Sequence, residues 1–444
     1  MHPYLEETLD RVRSRNPGYP VFLQAAGEIL PTLEPLLGEY PEIEELNLLE
    51  RFCEPERQFL FRVTWQDDDR RIRVNRGYRV GFSSVLGPFK GGLRFHPSVS
   101  LDIVRFLSFE QILKNSLTGL SLGGAKGGSD FDPRGRSDHE IMRFCQSFMT
   151  ELHRHIGEQT DIPAGDIGVS QREIGFLFGQ YKRLVNRYEL GVITGKSASW
   201  GGSHVRKEAT GYGVVFFAQA MLRARGDSLE GKTAVVSGSG NVALYTIRKL
   251  EELGVRVVSC SDSEGSLYAP GGIDFATLKQ LKEVERGRLS AYPLGSGDTE
   301  YRPGQNVWDL PADLAFPCAT ENELDREDAE RLVANGCFLV CEGANMPCRT
   351  EALEFFREQE VLHGPGKAAN AGGVAVSALE MQQNAALEQW PFAEVEARLE
   401  SIIQRIHDRC RRMASRYSDP DDYRTGANTA GFVRVVEAMR AFGF

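Results

Sequence analysis

Three lysines in this 444-residue chain sit in glycine-rich or helical surroundings within 37 positions, and the two flanked by glycine gain nothing for helix or strand stability. Lys90 lies in Gly87-Pro88-Phe89-Lys90-Gly91-Gly92, Lys126 in Gly123-Gly124-Ala125-Lys126-Gly127-Gly128, and Lys114 on a helical stretch between them. Glycines beside a lysine let backbone and ligand come close together. Ammonium groups that converge on one pocket would bind a dicarboxylate and depress one another's pKa, so one lysine could be neutral near pH 7 and serve as general base. The plain alternative is a set of flexible loops that expose lysines to water. Asp166, in Pro163-Ala164-Gly165-Asp166-Ile167-Gly168, adds an acid in a glycine-rich turn, where turn capping is an equally simple use.

A second chemistry is written from Thr233 onward. Thr233-Ala234-Val235-Val236-Ser237 reads as a buried strand, followed by Gly238-Ser239-Gly240-Asn241-Val242-Ala243, a helical run to Gly254, and a second strand that ends at Asp262. Strand, Gly-x-Gly-x-x-Ala, helix, strand and acid is the order of a dinucleotide site: Gly238 and Gly240 permit the tight turn, and amides at the helix start meet a pyrophosphate. A packing turn is the bland alternative. Carboxylates in Asp262-Ser263-Glu264 suit an adenosine ribose and repel a 2′-phosphate, which favours NAD over NADP unless Ser263 and a cation such as Lys282 offset them. Gly191-Val192-Ile193-Thr194-Gly195-Lys196-Ser197 has three residues between its glycines where a phosphate loop needs four, so an ATPase is not indicated.

These groups must be positioned by a scaffold, and its elements are partly legible. Apolar spacing in Pro20–Ala26 and Ile43–Glu50 predicts helices in an N-terminal arm, and period-two alternation around Asp67-Asp68-Asp69 predicts a β-hairpin. Amphipathic helices are expected over 100–116 and 138–155, opened by Ser100 and by Ser137 or Asp138. Strands alternating with helices after Thr233 predict a doubly wound parallel sheet, and helices return at 375–387, 392–415 and 431–441. The expected fold class is α/β: a substrate and assembly domain over 1–200, a Rossmann-type dinucleotide domain over 201–370, and C-terminal helices over 371–444 returning to the first domain.

Composition bounds the partners. With 52 basic and 62 acidic side chains the net charge is −10, spread without long runs, which makes nucleic acid and anionic membrane surfaces poor partners. No long apolar stretch or secretory pattern is evident, so cytoplasm is the expected location. The eight cysteines include no Cys-x-x-Cys pair and read as reduced, partly buried thiols; His153 and His155 are two apart, and no metal site is expected.

Taken together, Lys90-Gly91-Gly92-Leu93-Arg94-Phe95-His96-Pro97, Gly123–Gly128, Pro163–Gly168, Glu208-Ala209-Thr210-Gly211-Tyr212-Gly213 and Asn370-Ala371-Gly372-Gly373-Val374 resemble, in order and across nearly the whole chain, the hexameric glutamate dehydrogenases. The resemblance implies that Lys126 activates the water that attacks an iminium carbon while Asp166 moves protons to and from the nitrogen. Lys114 would hold the α-carboxylate, Lys90 and Ser377 the γ-carboxylate, with Gln111 and Gly165 completing the pocket. Thr210 and Asn241 match the family's cofactor contacts, and Asn345 and Asn370 its nicotinamide-side asparagines. Related leucine, valine and phenylalanine dehydrogenases replace both γ-carboxylate residues with apolar ones, so Lys90 with Ser377 argues for glutamate. The implied partners are L-glutamate, 2-oxoglutarate, ammonium and NAD or NADP, in a homohexamer. Acidic Glu264 and Glu285 lean toward NAD, while Ser239 is as in many NADP forms. A catalytically silent sensor on the same fold, or a dehydrogenase for another amino acid, would use the same scaffold.

Overall fold

A computed structural model describes residues 1–295 and 298–443. The chain divides into two compact units: one comprises Met1–Arg206, Val376–Val395 and the residues from Asn428 on, the other Lys207–Ala375 and Glu396–Ala427. The last seventy or so residues are therefore shared by both.

The first unit is built on a five-stranded sheet. β1 (Arg57–Gln66) and β2 (Ile72–Ser83) form the expected hairpin, with Gln66 opposite Ile72. Asp67 closes the turn by accepting the Arg71 N–H at 2.8 Å. β3 (Phe89–Phe95), β4 (Gly124–Ser129) and β5 (Asp161–Gly165) complete the order β1-β2-β4-β3-β5, with β3 parallel to both β4 and β5. Parallel neighbours need a crossover, and helix Leu101–Thr118 supplies it between β3 and β4. Ser100 caps that helix, its Oγ accepting the Ile103 N–H, and Ser137 with Glu140 forms a capping box on helix Asp138–Leu152. Strands β3 and β4 approach so closely that a Cβ at position 91 would lie 1.6 Å from the Ala125 carbonyl oxygen. Only glycine fits there.

Beneath the sheet lies an aromatic core, with Phe131 stacked on Phe144 at 3.8 Å and Trp65, Phe95 and Phe148 packed around them. The N-terminal arm is helical over Pro3–Arg15 and Pro20–Ile29, but 43–50 is not one helix. It is split into Glu42–Glu45 and Leu48–Cys53 because Asn47 takes a left-handed backbone at φ +50°, which asparagine tolerates better than most residues. Helix 138 ends at Leu152 rather than His155, whose ring stacks on Phe59 at 3.7 Å.

The second unit carries a seven-stranded sheet in the order β12-β11-β10-β6-β7-β8-β9. Its members are β6 (Thr233–Val236), β7 (Arg256–Asp262), β8 (Gly265–Tyr268), β9 (Glu300–Pro303), β10 (Leu314–Phe316), β11 (Leu339–Cys341) and β12 (Leu362–Gly364). The run from β12 to β7 is parallel and β8–β9 is an antiparallel extension. This is the doubly wound sheet that the pattern predicts. Helices Gly372–Ala386, Phe392–Tyr417 and Tyr423–Phe442 follow. Among the described residues no helix is long and apolar enough to cross a membrane.

One ion pair braces the first sheet. Arg79 of β2 is fully buried; its Nε donates to Asp161 Oδ2 at 2.8 Å, and its Nη1 to the Gly91 carbonyl at 3.1 Å. Removing one partner of a buried pair leaves an uncompensated charge, so Asp161→Ala should cost about 3–5 kcal/mol in urea unfolding. Arg73→Ala, which removes the far more exposed member of the Arg73–Asp67 pair, should cost under about 1 kcal/mol. Equal losses in the two variants would show that Arg79 does not depend on its carboxylate.

Candidate active site

The glycines around the lysines let three strand backbones converge. Lys126 on β4 and Asp166, one residue past β5, meet across β3, with Lys126 Nζ 3.3 Å from Asp166 Oδ1. Gly92 of β3 lies under the pair. A Cβ there would sit 2.9 Å from Asp166 Cβ, 3.0 Å from the Gly165 oxygen and 3.4 Å from Lys126 Nζ. A side chain at this position would crowd both Lys126 and Asp166.

Burial sets the electrostatics. It lowers the Lys126 pKa by disfavouring the ammonium, while Asp166 pulls the other way and Arg94 and Arg79 add to the lowering. For Asp166 burial alone would raise the pKa, but Lys126 and Arg94 outweigh it and hold the carboxyl well below the usual range. Arg94 Nε donates to Asp166 Oδ2 at 2.8 Å. Lys126 is thus a lysine whose pKa burial lowers, beside a carboxyl whose own pKa two cations hold down.

Lys90, on β3, is buried; its Nζ donates to Thr194 Oγ1 at 2.9 Å. Desolvation, then the nearby Arg206 and Arg79, push its pKa well below that of a free lysine. Gln111 and Lys114 ride one turn apart on helix Leu101–Thr118, where Gln111 Nε2 donates to Asn115 Oδ1 at 2.7 Å and Asn115 Nδ2 donates to the Lys90 carbonyl at 3.1 Å. Ser377 is buried on helix Gly372–Ala386, three residues before Glu380, so the two share a helix face. Glu380 accepts the Gly195 N–H at 3.0 Å and pairs with Lys196 Nζ at 2.7 Å, both side chains fully buried. That contact brings the Ser377 face against the segment whose Thr194 holds Lys90.

Several of these groups escape sequence reasoning. Lys196 and Glu380 pair across 184 residues, Thr194 meets Lys90 across 104, and Arg79 and Arg94 are ordinary strand arginines until folded. The 191–197 segment carried a hint, since it looks like a failed phosphate loop. Its lysine is turned inward to a carboxylate.

In the second unit Gly238 sits at φ +82°, with its N–H donated to Ser261 Oγ at 2.9 Å, and Gly240 precedes helix Asn241–Glu252 without a side-chain cap. The uncapped first-turn amides, Val242 among them, suit a pyrophosphate. Asn241 Nδ2 donates to the Lys207 carbonyl at 2.6 Å, and Thr210 lies on helix Ala209–Ala224. Asn370 Nδ2 donates to the Gly343 and Ala344 carbonyls at 3.2 and 3.0 Å and to Asn345 Oδ1 at 3.1 Å. Its own Oδ1 is buried without a hydrogen-bond partner, an acceptor that a nicotinamide carboxamide would satisfy. The residues present fit a dinucleotide.

At the adenosine end both Asp262 oxygens already accept backbone N–H groups, from Glu264 and Leu289 at 2.9 Å each. Two of roughly four lone-pair sites are thereby used. Arg288 Nη1 donates to Ser263 Oγ at 3.1 Å, its Nε lies 3.4 Å from Glu264 Oε1, and Lys282 Nζ donates to the Gly287 carbonyl at 2.8 Å. Glu285 instead accepts from Gln280 Nε2 at 3.3 Å.

Comparison with known proteins agrees with this geometry. The family model for glutamate/leucine/phenylalanine/valine dehydrogenase matches residues 201–443, and that for the dimerisation domain of the same enzymes matches 55–183. The chain is 54% identical to an NADP-specific glutamate dehydrogenase of Helicobacter pylori, covering 99% of this chain and 100% of that one. It is 50% identical to an NAD(P)-specific glutamate dehydrogenase of Xylanibacter ruminicola, covering 98% and 99%. The solved Plasmodium falciparum glutamate dehydrogenase superposes with a TM-score of 0.96 at 50% identity, over 99% of this chain and 95% of that one. A two-unit α/β chain with a Rossmann-type sheet, a buried lysine–aspartate pair and relatives of this closeness belongs to the Glu/Leu/Phe/Val dehydrogenase family.

Proposed function

We propose that this chain is a glutamate dehydrogenase. It converts L-glutamate, water and NAD(P)+ reversibly to 2-oxoglutarate, ammonium, NAD(P)H and a proton. The observation that carries the reading is the buried Lys126–Asp166 pair on the same sheet as a buried Lys90 held by Thr194. Lys90 and Ser377 take the γ-carboxylate and Lys114 the α-carboxylate, which fixes Cα in one orientation. Asn370 and Asn345 orient the nicotinamide carboxamide, and the bound ring supplies hydride acceptance. Lys126, as the free amine, takes a proton from the water that adds to the iminium carbon. Asp166 relays protons to and from the departing nitrogen. Gln111 and the Gly165 carbonyl complete the pocket wall, and a homohexamer working in the cytoplasm is part of the same reading.

The purified protein should oxidise NADPH or NADH only when given 2-oxoglutarate and ammonium; inactivity with both cofactors would sink the assignment. Lys126→Ala should lower kcat by about 10²–10⁴-fold, the usual range for a general base, while leaving dinucleotide binding in place. Because Asp166 stabilises the ammonium form, Asp166→Asn should lower the Lys126 pKa further. The residual activity of that variant should then rise with pH along a limb displaced to lower pH. A limb that moved upward would reverse the roles given to the pair.

Lys90→Leu removes a charge-assisted contact worth roughly 1.5–3 kcal/mol, so kcat/KM for glutamate should fall by about ten- to hundredfold. Leucine should gain relative to glutamate in the same variant. Unchanged glutamate kinetics would show that the γ-carboxylate lies elsewhere.

For the cofactor, Asp262, Glu264 and Glu285 argue for NAD by charge. The contacts favour a different emphasis: Asp262 is partly occupied by backbone amides, Glu285 turns to Gln280, and Ser263 with Arg288 offers a hydroxyl and a guanidinium side by side. We therefore read the adenosine pocket as accepting a 2′-phosphate. Arg288→Ala should reduce kcat/KM for NADPH by about tenfold with little change for NADH. A wild-type preference for NADH would return the argument to the carboxylates.

A further inference from the structure

Glu342 follows β11, His363 lies in β12, and Cys348 lies on the segment that leaves β11. The parallel pairing of β11 and β12 sets Val340 opposite His363 and so brings the three side chains together. One donor atom from each, a carboxylate oxygen, Sγ and an imidazole nitrogen, lies within 4.8 Å of the others. Glu342 and Cys348 are buried and His363 is partly so.

The three side chains already turn toward one another: His363 Nε2 lies 3.1 Å from Glu342 Oε1, and Glu342 also faces the Cys348 thiol. Nitrogen, sulfur and oxygen donors together suit zinc and similar borderline-soft divalent ions, and suit magnesium or calcium poorly. Tetrahedral zinc, with bonds of about 2.0–2.3 Å, spaces its ligands about 3.3–3.8 Å apart, so closure by roughly 1 Å assembles the site.

We propose that Glu342, Cys348 and His363 form a binding site for a borderline-soft divalent cation, and that its occupation inhibits the enzyme. Inhibition follows from what else Glu342 holds, and this half rests on the glutamate dehydrogenase reading. Glu342 Oε2 accepts the Gly366 N–H at 2.7 Å, and Gly366 opens the short helical turn that leads to Asn370. Asn370 in turn fastens Gly343, Ala344 and Asn345, the residues directly after Glu342. Drawing Glu342 toward a metal strains both ends of this loop closure at once. The asparagines assigned to the carboxamide then lose their setting.

Equilibrium dialysis of the intact protein with zinc chloride, after chelator treatment, tests the site directly. The wild type should bind one zinc per chain that a tenfold excess of magnesium does not displace, with a higher Tm in zinc. Cys348→Ser and His363→Gln, both conservative in size, should each weaken this binding by tenfold or more and abolish the zinc-dependent Tm shift. Zinc should inhibit wild-type turnover, and the two variants should resist it. Zinc binding that is equal in the wild type and both variants would overturn the site, as would no binding at all. Bound zinc that leaves turnover intact would overturn the coupling to the asparagines. An enzyme inactive toward glutamate would refute the functional reading while the dialysis result stood.

Discussion

A lysine can be held near neutrality inside a protein only where water is excluded and where the charges around it nearly cancel. The first unit lowers the Lys126 pKa mainly by excluding water, which it does by bringing three strands into contact at their backbones. Gly91 and Gly92 remove the side chains that would separate β3 from β4 and β5, and the space so closed places Lys126 against Asp166. Arg94 keeps Asp166 ionised, Arg79 is neutralised by Asp161, and Lys196 by Glu380. Arg94, Arg79 and Lys196 are each tied to a particular acid, although the first two still add to the lowering of the Lys126 pKa. The chain as a whole is acidic, but on this sheet most of the buried cations have a local acid, and Lys90 is held by the Thr194 hydroxyl instead.

The second unit solves a different problem with different means. A dinucleotide carries its own charge, so the protein needs donors already pointed at it rather than buried ions. The uncapped turn at Gly240 and the orphaned Asn370 oxygen are such prepared positions. Both lie where backbone geometry is fixed by neighbours: Ser261 pins Gly238, and three acceptors pin the Asn370 amide.

What the sequence made legible was local chemistry. The Gly-x-Gly-x-x-Ala turn after a strand, and Ser100 and Ser137 before helices, depend on residues a few positions apart, and the structure shows each in its expected element, whereas the glycine-flanked Lys90 and Lys126 prove to lie on strands β3 and β4 that local pattern did not predict. The break at Asn47 was not legible, because the helical spacing of 43–50 continues unbroken through it. Nor were Thr194, Glu380 and Arg79, whose meaning arises from contacts between distant segments. The cofactor end shows the same division. Asp262 is recognisable as a strand-terminal acid, but that Leu289 caps one of its oxygens is a tertiary fact. Glu342, Cys348 and His363 have no recognisable ligand spacing, and only the register of β11 with β12 brings them together.

The Lys196–Glu380 pair joins two segments of the first unit that are separated in the chain by Lys207–Ala375 of the second. A gene cut after residue 206 would therefore not yield an independent substrate module. It would strand a buried ammonium without its carboxylate and remove Ser377 as well. The first unit is completed only after Lys207–Ala375 has been made, so its buried core pair forms late in synthesis.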